Sequence, residues 1–125
     1  MSPVYDSGVL VAADRSDRAV WADHRARLEM GVIPITTAPV VAQVSRSPLQ
    51  AQLFRFLRGC EVVPFGAADA HEVGRLLGDA GASDIVDGHV VITAFRRGAP
   101  VLTGDVDDLA RLAAHLPARV SITRL

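Results

Sequence analysis

Short apolar runs separated by longer amphipathic stretches set the rhythm of this chain. Pro3-Val4-Tyr5, Val32-Ile33-Pro34-Ile35-Thr36, Glu61-Val62-Val63-Pro64, Pro100-Val101-Leu102-Thr103 and Arg119 to Thr123 have the length and β-branched content of strands, the first of them buried. Pro34 predicts an edge or irregular position for the second, because proline has no N–H to give a ladder. The stretches between them read as helices. One covers about Ser7 to Ala13. Ser16 and Asp17 open a second, with Val20, Trp21 and Leu28 at helical spacing and Gly31 at its end. Pro39 suits the first turn of a helix reaching about Arg46, and Ser47-Pro48 repeats that signal for a helix to Arg58 closed by Gly59. Further helices are predicted over Ala67 to Asp79, from a cap at Ser83 or Asp84 to Arg97, and over Val106 to Leu116. Such alternation implies an α/β domain, a mostly parallel sheet with helices on both faces. Ligands of such sheets bind beyond the carboxyl ends of the strands, where the winding reverses.

At 125 residues the chain is expected to be one domain, residues 1–125, with no repeat or linker. Half the residues are hydrophobic, enough for a core, yet no run reaches the roughly 18 apolar residues of a membrane span. Absence of secretory-signal features and a single cysteine, Cys60, lead to the expectation of a cytoplasmic protein. All 13 basic residues are arginine, and aspartate outnumbers glutamate 11 to 3. The net charge of −1 does not advertise a nucleic-acid binder, but clustering the acids in one place leaves room for a locally basic surface elsewhere. His24, His71, His89 and His115 share no metal-ligand spacing.

The aspartates carry the candidate chemistry. They fall in three clusters: Asp6 in Val4-Tyr5-Asp6-Ser7, Asp84 and Asp87 in Ser83-Asp84-Ile85-Val86-Asp87-Gly88, and Asp105, Asp107 and Asp108 in Thr103-Gly104-Asp105-Val106-Asp107-Asp108. Converging carboxylates repel one another, so a fold keeps them together with a cation between them. Hard oxygen donors without a cysteine or histidine cluster point to Mg²⁺ or Mn²⁺, and so to a metal-dependent phosphodiesterase. Asp87 lies on the core-facing arc of its helix, between Val91 and Ala94, with His89, Arg96 and Arg97 marking the solvent side. The competing account is helix capping. Asp84 and Asp87 imitate a capping box, Asp6 suits an N-cap, and Asp105 has Asp108 as its partner three residues on. Asp107 and Asp108 compete for a fourth carboxylate. Ser7 and Thr103 are candidates to steady the acids or a water; for Thr103 the expected partner is Asp105.

Together these segments resemble a PIN domain, and more narrowly the VapC-type toxins of toxin–antitoxin pairs. The family's first motif, an aspartate closing the opening strand, matches Val4-Tyr5-Asp6-Ser7. Its third, an aspartate in an apolar helix ending in a basic-Gly turn, matches Asp87-Gly88-His89-Val90 through Arg96-Arg97-Gly98. Its fourth matches Val101-Leu102-Thr103-Gly104-Asp105 and continues into Asp107-Asp108-Leu109. The match runs in order along essentially the whole chain. The resemblance implies a three-layer α/β/α fold with a five-stranded sheet, RNA as substrate, Mg²⁺ or Mn²⁺ as cofactor, a small antitoxin partner and a homodimer. The implied site is Asp6, Asp87 and Asp105 as metal ligands, with Asp107 or Asp108 beside them and Arg46 near the RNA backbone. One position departs from the pattern. Where the second motif carries glutamate, Ala38-Pro39-Val40-Val41-Ala42-Gln43-Val44 has Gln43, whose apolar neighbours predict a semi-buried side chain. An amide keeps an oxygen donor but loses a negative charge, so a catalytically weak domain that binds antitoxin or RNA is the alternative. A phosphoacceptor receiver domain, similar in length and alternation, needs a lysine that this chain lacks.

Overall fold

In a computed structural model describing residues 1–125, strands β1 (Val4–Tyr5), β2 (Ile35–Thr37), β3 (Glu61–Val63), β4 (Val101–Thr103) and β5 (Ile122–Arg124) form one sheet. Its order is β3-β2-β1-β4-β5, and every pair is parallel. The winding goes outward from β1 through β2 to β3, then restarts on the other side with β4 and β5. The reversal therefore lies between β1 and β4, which pair Val4 with Val101 and Tyr5 with Leu102.

The helices are α1 (Ser7–Asp14), α2 (Arg18–Glu29), α3 (Ala38–Val44), α4 (Ala51–Leu57), α5 (Ala67–Ala80), α6 (Ile85–Arg97) and α7 (Val106–Ala113). One layer is built from α1, α2 and α4, the other from α5, α6 and α7; α1 and α6 both pack on β1 and β4. Local signals explain most boundaries. Asp17 caps α2 by accepting the Val20 N–H at 3.1 Å, and Thr37 caps α3 by accepting that of Val40 at 3.2 Å. Helices α5 and α6 end at Gly81 and Gly98, both in the left-handed region that a side chain would strain.

Some expectations are corrected. Pro34 does not put β2 at an edge: the strand begins at Ile35, so the missing N–H lies outside the ladder, and the Pro34 carbonyl accepts the Glu61 N–H. Ser47-Pro48 does not start α4. Gln50 Oε1 accepts the N–H groups of Arg46 and Ser47, and Ser47 Oγ accepts that of Leu49, holding a turn until Ala51. Helix α7 stops at Ala113 instead of Leu116; the next residues make tighter three-residue turns ahead of Pro117.

Twenty-three buried hydrophobic residues form one continuous core. Beneath the end of β1 it holds a polar link. Arg27 can only donate, so Tyr5 Oη accepts from it at 3.2 Å and passes its own hydrogen to His24 Nδ1 at 3.0 Å. Burial keeps His24 on the neutral side by lowering its pKa, and its ring stacks on Phe56 at 3.9 Å.

The largest departure from the helical-wheel expectation is His89. It is fully buried, edge-on to Phe65 at 4.8 Å, rather than on the solvent side. The wheel assumes one apolar face, but α6 lies between the sheet and α5, and Gly88 through Ala94 are all buried. Gly88 permits that sandwich: a Cβ there would come within 2.9 Å of Val73 Cγ1. Neither ring nitrogen of His89 has a hydrogen-bond partner, and Thr93 Oγ1, one turn on, also lacks one. Unpaired buried donors are costly. His89→Leu, close in volume, is therefore expected to stabilise the protein by about 1–2 kcal/mol. Thermal denaturation checks this; a lower melting temperature in the variant would show that His89 has a partner worth keeping.

Candidate functional site

The carboxyl ends of β1 and β4 deliver the first two acids side by side. Asp6 follows β1 and is 4 % exposed. Its backbone occupies the N-cap of α1, but its side chain makes no capping bond, so capping does not account for the residue. Instead the Thr103 hydroxyl donates to Asp6 Oδ2 at 2.7 Å, while Asp6 Oδ1 is buried without any partner. The same Thr103 oxygen accepts the Asp105 N–H at 2.9 Å. Thr103 thus ties the ends of β1 and β4 together, and its side-chain hydrogen goes to Asp6, not to the expected Asp105.

The N-terminus of α6 contributes the next pair. Asp84 is its N-cap and accepts the Asp87 N–H at 3.0 Å. That satisfies the capping reading for Asp84. Asp87 does not reciprocate: its half-buried carboxyl makes no hydrogen bond. From the start of α7, Asp108 turns toward the same space and holds an exposed ion pair with Arg111 at 3.3 Å. Asp105, the N-cap of α7, makes no side-chain capping bond.

These groups line one cavity of about 240 Å³ with no hydrophobic wall: Asp6, Ser7, Gly8, Gln43, Asp84, Asp87, Gly104, Asp105 and Asp108. Five carboxylates face it and no basic residue does. Of the two rivals from α7, Asp108 lines the cavity and Asp107 does not. Gln43 reaches it from α3, but as an exposed side chain, not a semi-buried one. It sits near the open end of a helix that finishes at Val44, so its apolar neighbours are buried while it faces solvent. Arg46 is absent from the cavity; its guanidinium donates to the carbonyls of Ala42 and Ser45 at the end of α3. The two glycines of the lining were not singled out from the sequence, though each adjoins a motif residue. A Cβ on Gly8 would stand 3.4 Å from the Gly104 nitrogen, and one on Gly104 would meet nothing within 4 Å.

Electrostatics register the crowding. Burial, then the neighbouring charges of Asp84, Asp6, Asp105 and Asp108, push the Asp87 carboxyl up to about 7. Asp105 is raised as well, by desolvation first and by the adjoining Asp108 second. No three acidic, histidine or cysteine side chains already form a closed group placed to hold a metal ion. A second cavity of about 240 Å³ shares Asp84, Asp87 and Asp108 and adds Arg111. The largest hollow, about 740 Å³ between α7 and the segment 116–123, contains none of the carboxylates and is set aside on that ground. No helix is long and apolar enough to cross a membrane.

Comparison with known proteins places this fold. No family model and no curated protein matches the chain. Among solved structures, the chain is similar to VapBC2 from Rickettsia felis bound to a DNA fragment from its promoter. That likeness has a TM-score of 0.72 at 18 % identity, over 100 % of this chain and 99 % of the other. It is also similar to FitAB bound to IR36 DNA, with a TM-score of 0.63 at 15 % identity over 97 % and 93 %. PAE2754 from Pyrobaculum aerophilum gives 0.62 at 15 % identity over 97 % and 89 %. At these identities the likeness establishes the fold.

The raised Asp87 carboxyl has a consequence for stability. Its folded pKa exceeds the unfolded value near 4, so its contribution is intact below about pH 4, declines as pH rises, and is lost above about 7. With divalent ions chelated, Asp87→Asn is expected to stabilise the protein at about pH 8, with no difference at about pH 4. Solvent screening of a half-exposed group holds the gain to about 1 kcal/mol. Thermal melts across pH test this; a variant that is less stable at pH 8 would contradict the repulsion.

Proposed function

We propose that this chain is a metal-dependent endoribonuclease of the PIN type and the toxin member of a toxin–antitoxin pair. The observation that carries the reading is the convergence of Asp6, Asp84, Asp87, Asp105 and Asp108 on one polar cavity at the switch point of the sheet. The buried, partnerless Oδ1 of Asp6 suits a cation ligand, since a buried carboxylate oxygen is costly to leave unpaired. The oxygen-only donor set fits Mg²⁺ or Mn²⁺. Because no closed ligand group exists, the fit is to a hard ion that keeps part of its water shell.

Asp6, Asp87 and Asp105 would hold the ion, with Asp108 at the margin. When bound, it supplies charge neutralisation at a phosphate and acidification of water. The other roles belong to the chain. Thr103 fixes one oxygen of Asp6 and leaves the second free. Asp84 secures the first turn of α6 and so the position of Asp87. Gln43 offers a neutral amide where a carboxylate would strengthen attraction for the ion. Ser7, at the start of α1 on the cavity wall, is placed to hydrogen-bond water or substrate. The likeness to VapBC2 and FitAB supports a partner protein, and the sequence resemblance names it as an antitoxin.

A second reading, a catalytically weak domain that binds antitoxin or RNA, is favoured by Gln43. Cleavage of single-stranded RNA by purified protein with Mg²⁺ or Mn²⁺ decides between them. Asp87→Asn is expected to lower the rate by roughly 100-fold or more, as loss of a group stabilising transition-state charge does. Equal cleavage by both proteins would remove this mechanism. Gln43→Glu adds a negative charge to the rim, worth on the order of 1 kcal/mol toward a nearby divalent ion in a water-like medium. The metal concentration for half-maximal cleavage should then fall by about 3- to 10-fold, and no change would show that Gln43 is indifferent to the ion.

A further inference from the structure

At the far end of α1 from the acidic cavity lies a hollow of about 350 Å³ of opposite character. Arg18 and Arg25 of α2 and Arg55 of α4 line it, together with Trp21, Ser16 and Gln52. No carboxylate lines it, and none of the three arginines makes an ion pair. The nearby acids are otherwise engaged: Asp17 caps α2, and Asp14 accepts the Gln50 amide. Three like charges on one concave wall repel, as the carboxylates do at the other end, and an anion relieves them.

The wall is also ordered in advance. The Trp21 indole N–H donates to the Ala13 carbonyl at 3.0 Å, which fixes the ring, and the Arg55 guanidinium lies over it at 5.8 Å. Gln52 Oε1 accepts from the same guanidinium at 3.2 Å. Ser16 takes a left-handed backbone, φ 61°, a conformation costly for a residue with a side chain. That turn sets Arg18, the first residue of the 12-residue α2, on the wall of the hollow.

We infer that this pocket binds the phosphodiester backbone of single-stranded RNA, several nucleotides away from the acidic cavity. The choice of RNA rests on the nuclease reading; the anion site stands on the arginines. Asp6 and Ser16 bracket α1, about 15 Å apart at 1.5 Å per residue. A stacked strand covers that distance in about four to five nucleotides. An acidic protein segment is the other polyanion to weigh. Protein partners anchor through buried apolar side chains, and only two of the seven lining residues here are hydrophobic. Guanidinium forks and an aromatic ring suit a nucleic-acid strand better.

Trp21 is the chain's single tryptophan, so its emission reports the pocket directly. The test titrates full-length protein with an oligouridylate of about 12 nucleotides in EDTA, where metal-dependent cleavage is silent. Emission should change on binding. The triple variant Arg18→Gln, Arg25→Gln, Arg55→Gln should bind at least about 10-fold more weakly and lose about 2 from the slope of log affinity against log salt, roughly 0.7 for each phosphate contact. Arg55→Lys keeps the charge while removing the planar fork, and should lie between the two. Unchanged affinity and slope in the triple variant would overturn the proposal. So would equal displacement of the oligouridylate by a poly-glutamate peptide of the same length, which would give the pocket to an acidic protein. Arginine-dependent binding by a protein that never cleaves RNA leaves this site standing and removes the nuclease reading. Active cleavage with arginine-independent binding removes this site alone.

Discussion

The parallel pairing of β1 with β4 is the constraint on which the rest of this molecule depends. It joins residues nearly a hundred positions apart and sets Asp6 beside Thr103 and Asp105 at the reversal of the winding. One hydroxyl secures the junction by donating to the Asp6 carboxylate and accepting the Asp105 N–H. Helices α6 and α7 then add carboxylates to a space that already holds negative charge. The hydrophobic core supplies the free energy that tolerates this repulsion, since each fully buried aliphatic side chain contributes roughly 1.5–3 kcal/mol. The cost is concentrated at Asp87, whose proton is held far above the normal carboxylate range.

Much of this was legible in the sequence, because strands and helices of an α/β chain announce themselves by length and punctuation. Asp17, Pro39, Gly81 and Gly98 mark boundaries by local chemistry alone. Tertiary packing governed the places where reading failed. His89 is buried because α5 covers the face of α6 that a wheel assigns to solvent, and no local pattern around residue 89 reports a second layer. Pro34 misled because it stands immediately before the strand, where its missing N–H takes nothing from the ladder. Gln50 delayed α4 through side-chain bonds that propensity does not include.

The acids were visible as three clusters, but their convergence was conditional on strand adjacency. Local pattern also left Asp107 and Asp108 equivalent, since both lie in the first turn of α7; only the orientation of that helix puts Asp108 on the cavity. The role of Thr103 was half legible: a threonine beside Asp105 in sequence serves Asp6 in space. The convergence of Arg18, Arg25 and Arg55 on one hollow was not legible. Its helical members lie on α2 and α4, with β2 and α3 between them in the chain, and α1 packs against both helices. Helix α1 therefore runs between an acidic cavity, where β1 delivers Asp6, and the arginine-lined hollow beside Ser16. A polyanion held by cations at one end and reacting beside an ion at the other would run along this helix.

The central claim is that the convergent carboxylates share one divalent ion. Crystals of the wild-type protein soaked in Mn²⁺, with diffraction recorded at the manganese edge, test it most directly. The account predicts an anomalous peak within the cavity bounded by Asp6, Asp87 and Asp105, and none there in Asp6→Asn. A saturated crystal with no manganese in that cavity, or with manganese bound only elsewhere, would contradict it.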